Sequence, residues 1–163
     1  VLVSDIDNTL NALNALIYRA FPFPPHVYPA PLPPGFWSTP EGMKMLWDAP
    51  PLAGAAKLLR RLSRGGLAYV TCRPRETEDL THAWLRRWGF PDAPVFFCKD
   101  PVEKAAVAAR LGAALALEDD PAAVEAYSRV GVAVVVVSWP YNRNLRLAVN
   151  LGNTRPSAFD SAY

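Results

Sequence analysis

The sequence predicts an α/β protein with a central parallel sheet covered by helices on both faces. Three observations carry this. Short, nearly all-apolar runs recur along the chain, rich in β-branched or small residues and bounded by turn signals. Amphipathic stretches with helix start and stop residues separate them. Strands that are apolar on both faces belong in a sheet buried on both sides, which is the setting of parallel strands joined by helical crossovers.

The elements follow in order. Residues 1–4, "VLVS", read as the first strand. Residues 11–51 then separate it from the first clear helix, where a βα loop usually needs about 2–6 residues. Within that stretch, "FPFPPHVYPAPLPPGFWSTPEGMKMLWDAPP" holds ten of the chain's 17 prolines, with Phe21, Phe23, Tyr28, Phe36, Trp37 and Trp47 among them. A disordered linker lacks so many aromatics. A small inserted cap is expected, stiffened by proline and packed by its own rings. "AGAAKLLRRLSRGG" (53–66) is amphipathic and stops at Gly65 and Gly66. "LAYVT" (67–71) is the second strand. "ETEDLTHAWLRRWGF" (76–90) is a helix that places Leu80, Trp84, Leu85 and Trp88 on one face. "PVFF" (94–97) is the third strand. "DPVEKAAVAARLGA" (100–113) has Asp100 as N-cap, Pro101 at its first position and Gly112 beyond its end. "ALALE" (114–118) is a fourth strand, "DPAAVEAYSRVG" (120–131) another helix, and "VAVVVV" (132–137) a fifth strand. The tail from about 150 onward has few apolar residues and is expected to be partly disordered.

Composition excludes several function classes. A chain of 163 residues fits one domain and can bury a full core. Its net charge of +2 is too balanced to argue for nucleic acid or an anionic membrane surface. Arg60, Arg61, Arg64, Arg86 and Arg87 read as solvated helix faces. The longest apolar run, "VGVAVVVVSW", is far short of the roughly 18–20 residues that cross a bilayer, so no membrane partner is expected. No signal peptide is visible, although the chain begins at a strand without Met and residues upstream can be absent. Cys72 and Cys98 have no paired spacing, and a reducing cytoplasm is the simplest setting. His26 and His82 lack partners at metal-ligand spacing and read as structural. Oligomeric state is not legible.

In an open parallel sheet, ligands bind at the carboxyl ends of the strands. The residues leaving each strand are therefore the informative ones. Asp5, Asp7 and Thr9 follow the first strand. Thr71 ends the second, with Cys72 and Arg73 after it. Glu118, Asp119 and Asp120 end the fourth, and Lys99 and Lys104 lie around the helix before it. Carboxylates gathered from two strand ends repel unless a cation sits among them. An oxygen-rich site without clustered Cys or His suits a hard ion, and Mg²⁺ is the usual one where phosphate chemistry follows. The hydroxyl and the lysine are donors facing that site, which suggests a phosphate ligand. Each piece has an ordinary explanation alone: a surface turn for "DxDxT", a strand end for Thr71, a helix N-cap for "EDDP". Together those explanations require a coincidence of order and placement.

"DIDNTL", "VTCRP", a lysine and "LALEDDP" resemble, in that order, the four motifs of the haloacid dehalogenase superfamily of phosphohydrolases. "TCRP", "EDDP" and "WPYNR" look most like its 5′(3′)-deoxyribonucleotidase-type branch. The resemblance implies a Rossmann-like three-layer sandwich forming a single domain over 1–163, with 11–51 as a small cap. It implies a Mg²⁺-dependent phosphatase that works through an aspartyl-phosphate on a small soluble phosphate ester, a nucleoside monophosphate first. Asp5 would be the nucleophile. Asp7 would protonate the leaving oxygen and activate water, its carbonyl also binding metal. Thr71 and a lysine, Lys104 in preference to Lys99, would hold the phosphate. Asp119 would complete a metal set of Asp5, Asp7 and Asp119, with Glu118 and Asp120 one residue away on either side. Thr9, Cys72, Arg73 and Lys99 are further substrate-binding candidates, although Arg73 reads equally as solvated and Cys72 as a packing residue. Trp139, Tyr141, Asn142 and Arg143 either line the site edge or close the sheet. The cap aromatics either stack on a base or pack the cap. The rival readings are a 3′-phosphatase on nucleic acid ends, with "LTHAWLRRWGFP" as its cue, and a non-catalytic binding module. A response-regulator receiver is disfavoured, because its acids come in another order.

Overall fold

Five parallel strands form one sheet in the order β3-β2-β1-β4-β5. They are β1 (Leu2–Ser4), β2 (Leu67–Thr71), β3 (Val95–Phe97), β4 (Leu115–Glu118) and β5 (Ala133–Val136). Each lies within one residue of its predicted ends. The structure, a computed structural model, describes residues 1–145. The tail expected to be disordered from about 150 lies outside them.

Side chains alternate across the sheet, and each face meets its own pair of helices. Helices α1 (Leu13–Ala20) and α2 (Pro40–Asp48) belong to the stretch after β1, while α3 (Ala55–Leu62), α4 (Glu78–Arg87), α5 (Pro101–Arg110) and α6 (Pro121–Arg129) flank the strands. Val3, Val70, Ala116 and Val134 face α5 and α6, which present Ala105, Ala108, Ala123 and Ala126. Such small residues let the helices sit close to the sheet. Leu2, Tyr69 and Leu117 face the other way, against Leu59 of α3 and Trp84 and Leu85 of α4. Two predicted caps form as read. The Asp100 side chain accepts from the Glu103 amide at 2.8 Å with Pro101 in the first turn, and Gly112 turns the chain out of α5 at φ 62°.

Trp88 departs from its predicted place. Helix α4 ends at Arg87, so Trp88 leaves the helical face and stays 37% exposed. Arg87 is exposed, as expected of a solvated charge, and also lies over the rings of both Trp88 (5.0 Å) and Trp47 (4.7 Å).

The insert is pinned at its two ends. The Ala12 amide donates to the Pro50 carbonyl and the Leu52 amide to the Leu10 carbonyl, at 2.9 and 2.8 Å. Leu13, Ile17, Leu46 and Ala49 form its centre, with Phe21, Phe23 and Trp37 packed around them. The expected rings therefore pack, but around the aliphatic faces of two helices. Leu80 of α4 joins the same cluster, so the insert shares a wall with the main domain. Helix α2 begins as a capped helix should, with Thr39 accepting from the Gly42 amide and Pro40 in the first turn. No helix among the described residues is long and apolar enough to cross a membrane.

Candidate active site

The chain runs outward from β1 to β2 and β3, then crosses to β4 and β5 on the other side. The order in which the strands are added therefore reverses between the parallel neighbours β1 and β4, and a crevice opens at the carboxyl ends of those strands. Asp5 leaves β1 at this point, its amide still donating to the Leu117 carbonyl at 3.0 Å. Asp5 is thereby held beside the end of β4. Asn8 adopts φ 57°, a left-handed conformation that asparagine tolerates better than most side chains. Its side-chain oxygen accepts from the Asn14 amide and its own amide donates to Asn11, which locks the loop onto the start of α1.

Lys104 reaches the crevice from α5. Its Nζ donates to Asp5 Oδ1 at 2.7 Å and to Glu118 Oε2 at 3.1 Å, with only 3% of the residue exposed. Burial opposes the charge on Lys104, but Asp5 and Glu118 override it and hold the ammonium well above its ordinary range. Glu118 is fully engaged, because Oε1 also accepts the amides of Asp119 and Asp120. Asp120 caps α6 by accepting from the Ala122 amide. Asp119 is the acid of the three that faces Asp5 with another arrangement. Thr9 donates to its Oδ1 at 2.8 Å, and the Tyr141 hydroxyl donates to its Oδ2. Burial and the neighbouring Glu118 push the Asp119 carboxyl up to about 8, against those two hydrogen bonds. One oxygen each from Asp5, Glu118 and Asp119 lie within 4.8 Å of one another.

Asp7 has a different partner. Arg73 holds it in a fork, Nε to Oδ2 at 2.8 Å and Nη2 to Oδ1 at 2.6 Å, while Nη1 donates to Thr81 at 3.0 Å. Asn11 adds a bond to Oδ1 at 2.9 Å. Burial alone would raise the Asp7 carboxyl; Arg73 and Asn11 outweigh it and hold the group below the usual carboxylate range.

A cavity of about 180 Å³ opens onto Asp5, Asp7, Lys104 and Asp120, while Glu118 and Asp119 stand outside its lining. Its floor is polar, with Asp5, Asp7, Thr71, Cys72, Arg73 and Lys104. Its roof comes from the insert and is largely apolar, with Leu13, Ile17, Leu32 and Trp37 beside Tyr28. Cys72 is exposed rather than a packing residue, and desolvation of its thiol in this wall pushes the group up to about 12. Thr9 and Lys99, two predicted substrate contacts, stand elsewhere. Thr9 turns to Asp119 and is absent from the cavity wall. Lys99 is exposed, outside the cavity, with only its backbone amide bonded to Glu103. Arg73 reaches the cavity, but its charge is paired with Asp7 rather than free for an incoming anion. Of the four post-β5 residues, Tyr141 and Asn142 touch Asp119, Trp139 reaches the Asn8 carbonyl, and Arg143 is exposed.

Among the described residues Asp5, Asp7, Glu118 and Asp119 meet two cations, Lys104 and Arg73, which would leave an excess of two negative charges with all four acids ionised; the raised Asp119 carboxyl reflects that crowding. The donor set is all oxygen. That excess and that chemistry fit a hard divalent cation.

Solved structures with this architecture include CbbY from Rhodobacter sphaeroides in complex with phosphate (19% identical, TM-score 0.58, covering 91% of this chain and 90% of that one). They also include a HAD-superfamily hydrolase of subfamily IA, variant 1, from Geobacter sulfurreducens (12% identical, TM-score 0.53, 85% and 89% covered). The chain has the haloacid dehalogenase fold. A hydrolase from Streptococcus pneumoniae shares this haloacid dehalogenase fold at 16% identity and a TM-score of 0.51, over 84% of this chain and 91% of that one. No family model matches the chain. A curated relative in Oceanobacillus iheyensis, named "Putative nucleotidase OB0422", is 28% identical over 101 residues, which are 60% of this chain. The match spans about half of that relative's length (54%).

Within the haloacid dehalogenase fold, several residues of this site carried no readable signal. Asn11 and Thr81 complete the shell around Asp7 and Arg73, yet each looks like any loop or helix residue in the sequence. Asn14 lines the cavity with its amide nitrogen buried and without a partner among the described residues.

Proposed function

We propose that the protein hydrolyses phosphate monoesters through a phosphorylated Asp5, with residues 11–51 acting as a small cap over the site. The observation that supports this most is Lys104, buried between Asp5 and Glu118 at the reversal point of the sheet, with Asp119 facing it. The Lys104 bond fixes one oxygen of Asp5, and the other has no hydrogen-bond partner among the described residues. That oxygen attacks phosphorus, forming a new O–P bond as the ester O–P bond breaks. Thr71 and Lys104 line the cavity where the phosphoryl oxygens would lie and donate to the charge there. In the second half of the cycle water attacks phosphorus, the bond to Asp5 breaks, and phosphate leaves.

Asp7 serves both halves, and its fork with Arg73 says how. Held ionised, it is ready to take a proton from the attacking water. To give a proton to the leaving oxygen it must first be freed from the guanidinium and take up a proton, from solvent or from a singly protonated substrate phosphate. An incoming phosphate competes for Arg73, since a planar guanidinium pairs with phosphate as well as with carboxylate.

The residues fit Mg²⁺, which Asp5, Asp119 and the Asp7 carbonyl would hold while Glu118 stays with Lys104. When bound, it neutralises charge on the phosphoryl oxygens. For the leaving group we favour a nucleoside. The apolar roof with Trp37 and Tyr28 suits a flat ring, and the curated relative's name points the same way. The cavity is smaller than the roughly 300–1,000 Å³ of typical small-molecule sites, so the far end of such a substrate would rest at the mouth.

A panel of nucleoside monophosphates and sugar phosphates, assayed with Mg²⁺ and with EDTA, tests the reading. Activity that requires the metal and favours nucleotides is expected. A panel with no hydrolysis, or hydrolysis untouched by EDTA, would contradict it.

A further inference from the structure

The turn after β5, "SWPYN" (138–142), holds the crevice together from outside the motifs. The Trp139 indole nitrogen donates to the Asn8 carbonyl at 2.6 Å. Asn142 accepts from the Trp139 amide at 2.8 Å and donates to the carbonyls of Asp119 (2.8 Å) and Val137 (2.9 Å). The turn is therefore stitched to itself, to the loop after β1 and to the loop after β4. Between those stitches stands Tyr141. Its hydroxyl donates to Asp119 Oδ2, and its ring stacks on Tyr28 of the insert at 4.3 Å and 13°.

Two features separate this from simple closure of a sheet edge. Closure needs only the ring, and phenylalanine would supply that. The hydroxyl is the part that meets Asp119, and with Thr9 on Oδ1 it fixes the carboxylate plane from both oxygens. Each carboxylate oxygen has two acceptor positions, so an oxygen that takes a hydroxyl proton can still ligate a cation. The second feature is the stack. Tyr28 is the point at which the insert touches the group that orients Asp119.

We propose that Tyr141 is a positioning residue that sets the divalent-cation affinity of Asp119 and ties it to the seating of the insert through Tyr28. This rests on the placement of the cation at Asp119 argued above. Outer groups that orient metal ligands commonly change affinity by about 10–100-fold when removed. Coupling is reciprocal: if a seated insert tightens the ion, the ion seats the insert.

The test is calorimetric titration of Mg²⁺ into the wild-type chain, Tyr141→Phe, Tyr28→Leu and the double variant, with thermal melts to verify folding. Tyr141→Phe keeps the ring and the stack and removes only the hydroxyl. We expect it to bind Mg²⁺ about 10-fold more weakly. We expect Tyr28→Leu to weaken binding in the wild-type background but not in the Tyr141→Phe background, because its effect passes through the hydroxyl. Ultraviolet difference spectra should show a tyrosine change on adding Mg²⁺ that Tyr28→Leu abolishes. Equal affinity of Tyr141→Phe and wild type overturns the positioning role, and with it the link that passes through the hydroxyl. Additive losses from the two variants, or no tyrosine signal, overturn the link to the insert. A wild-type chain that binds no Mg²⁺ overturns this inference and the metal reading together.

Discussion

Lys104 decides the site at the scale of single residues. It is a buried ammonium with two carboxylate partners, and removing it leaves Asp5 and Glu118 facing each other without a cation. Breaking such a buried pair costs about 3–5 kcal/mol. Lys104→Met should therefore lower the melting temperature by several degrees and abolish turnover, whereas Lys99→Ala, at an exposed position, should change neither; equal losses in both would contradict the placement. The Cys72 thiol, pushed up to about 12, should react slowly with iodoacetamide at neutral pH and faster as the pH rises toward that value. Fast alkylation at neutral pH would show a thiolate the geometry does not support. The types of these residues were legible in the sequence, because acids, a hydroxyl and a lysine followed strand ends in order. Their partners were not. Nothing local to Arg73 reveals that it turns to Asp7, 66 positions away, and the doubled acids 118–120 separate only once Lys104 and the α6 cap claim Glu118 and Asp120.

At the scale of elements, the strands and the caps of α5 and α6 were readable because local chemistry specifies them. The insert was readable as a small cap, but its two helices were not: at 8 and 9 residues they are too short to show a clear period, and tertiary packing makes them stable. Gly42 carries much of that packing: a Cβ there would lie 2.1 Å from the Phe36 carbonyl oxygen. Gly42→Ala should push α2 away from the turn before it and loosen the cavity roof. We expect raised KM with little loss of kcat; unchanged KM would mean that the roof does not bind substrate. Trp84 joins α4 to the end of the insert through its indole bond to the Ala49 carbonyl (2.9 Å) and stacks on Phe90. Trp84→Ala should destabilise by about 3–5 kcal/mol in denaturant titration, the usual cost of emptying a buried aromatic site. A loss below about 1 kcal/mol would mean that the insert and the domain are not joined there.

At the scale of the whole molecule, strand order does the work that no motif does. Placing β1 beside β4 brings residues 5 and 119 to one crevice and lets α5 deliver Lys104 between them. The parallel sheet and the strand ends were predictable from alternation of short apolar runs with helices. The contribution of the last turn was not, because Trp139, Tyr141, Asn142 and Arg143 read equally as site edge or sheet closure, and only the fold brings Tyr141 and Asn142 onto Asp119. The central claim is that Asp5 becomes phosphorylated during turnover. Its most direct test is acid quench of the protein during hydrolysis of its best substrate with Mg²⁺, followed by mass spectrometry of the peptide that contains Asp5. Turnover should leave a phosphoryl mass on Asp5 that is absent, together with activity, from Asp5→Asn. Turnover that persists in Asp5→Asn, or a phosphoryl group found on another residue, would contradict it.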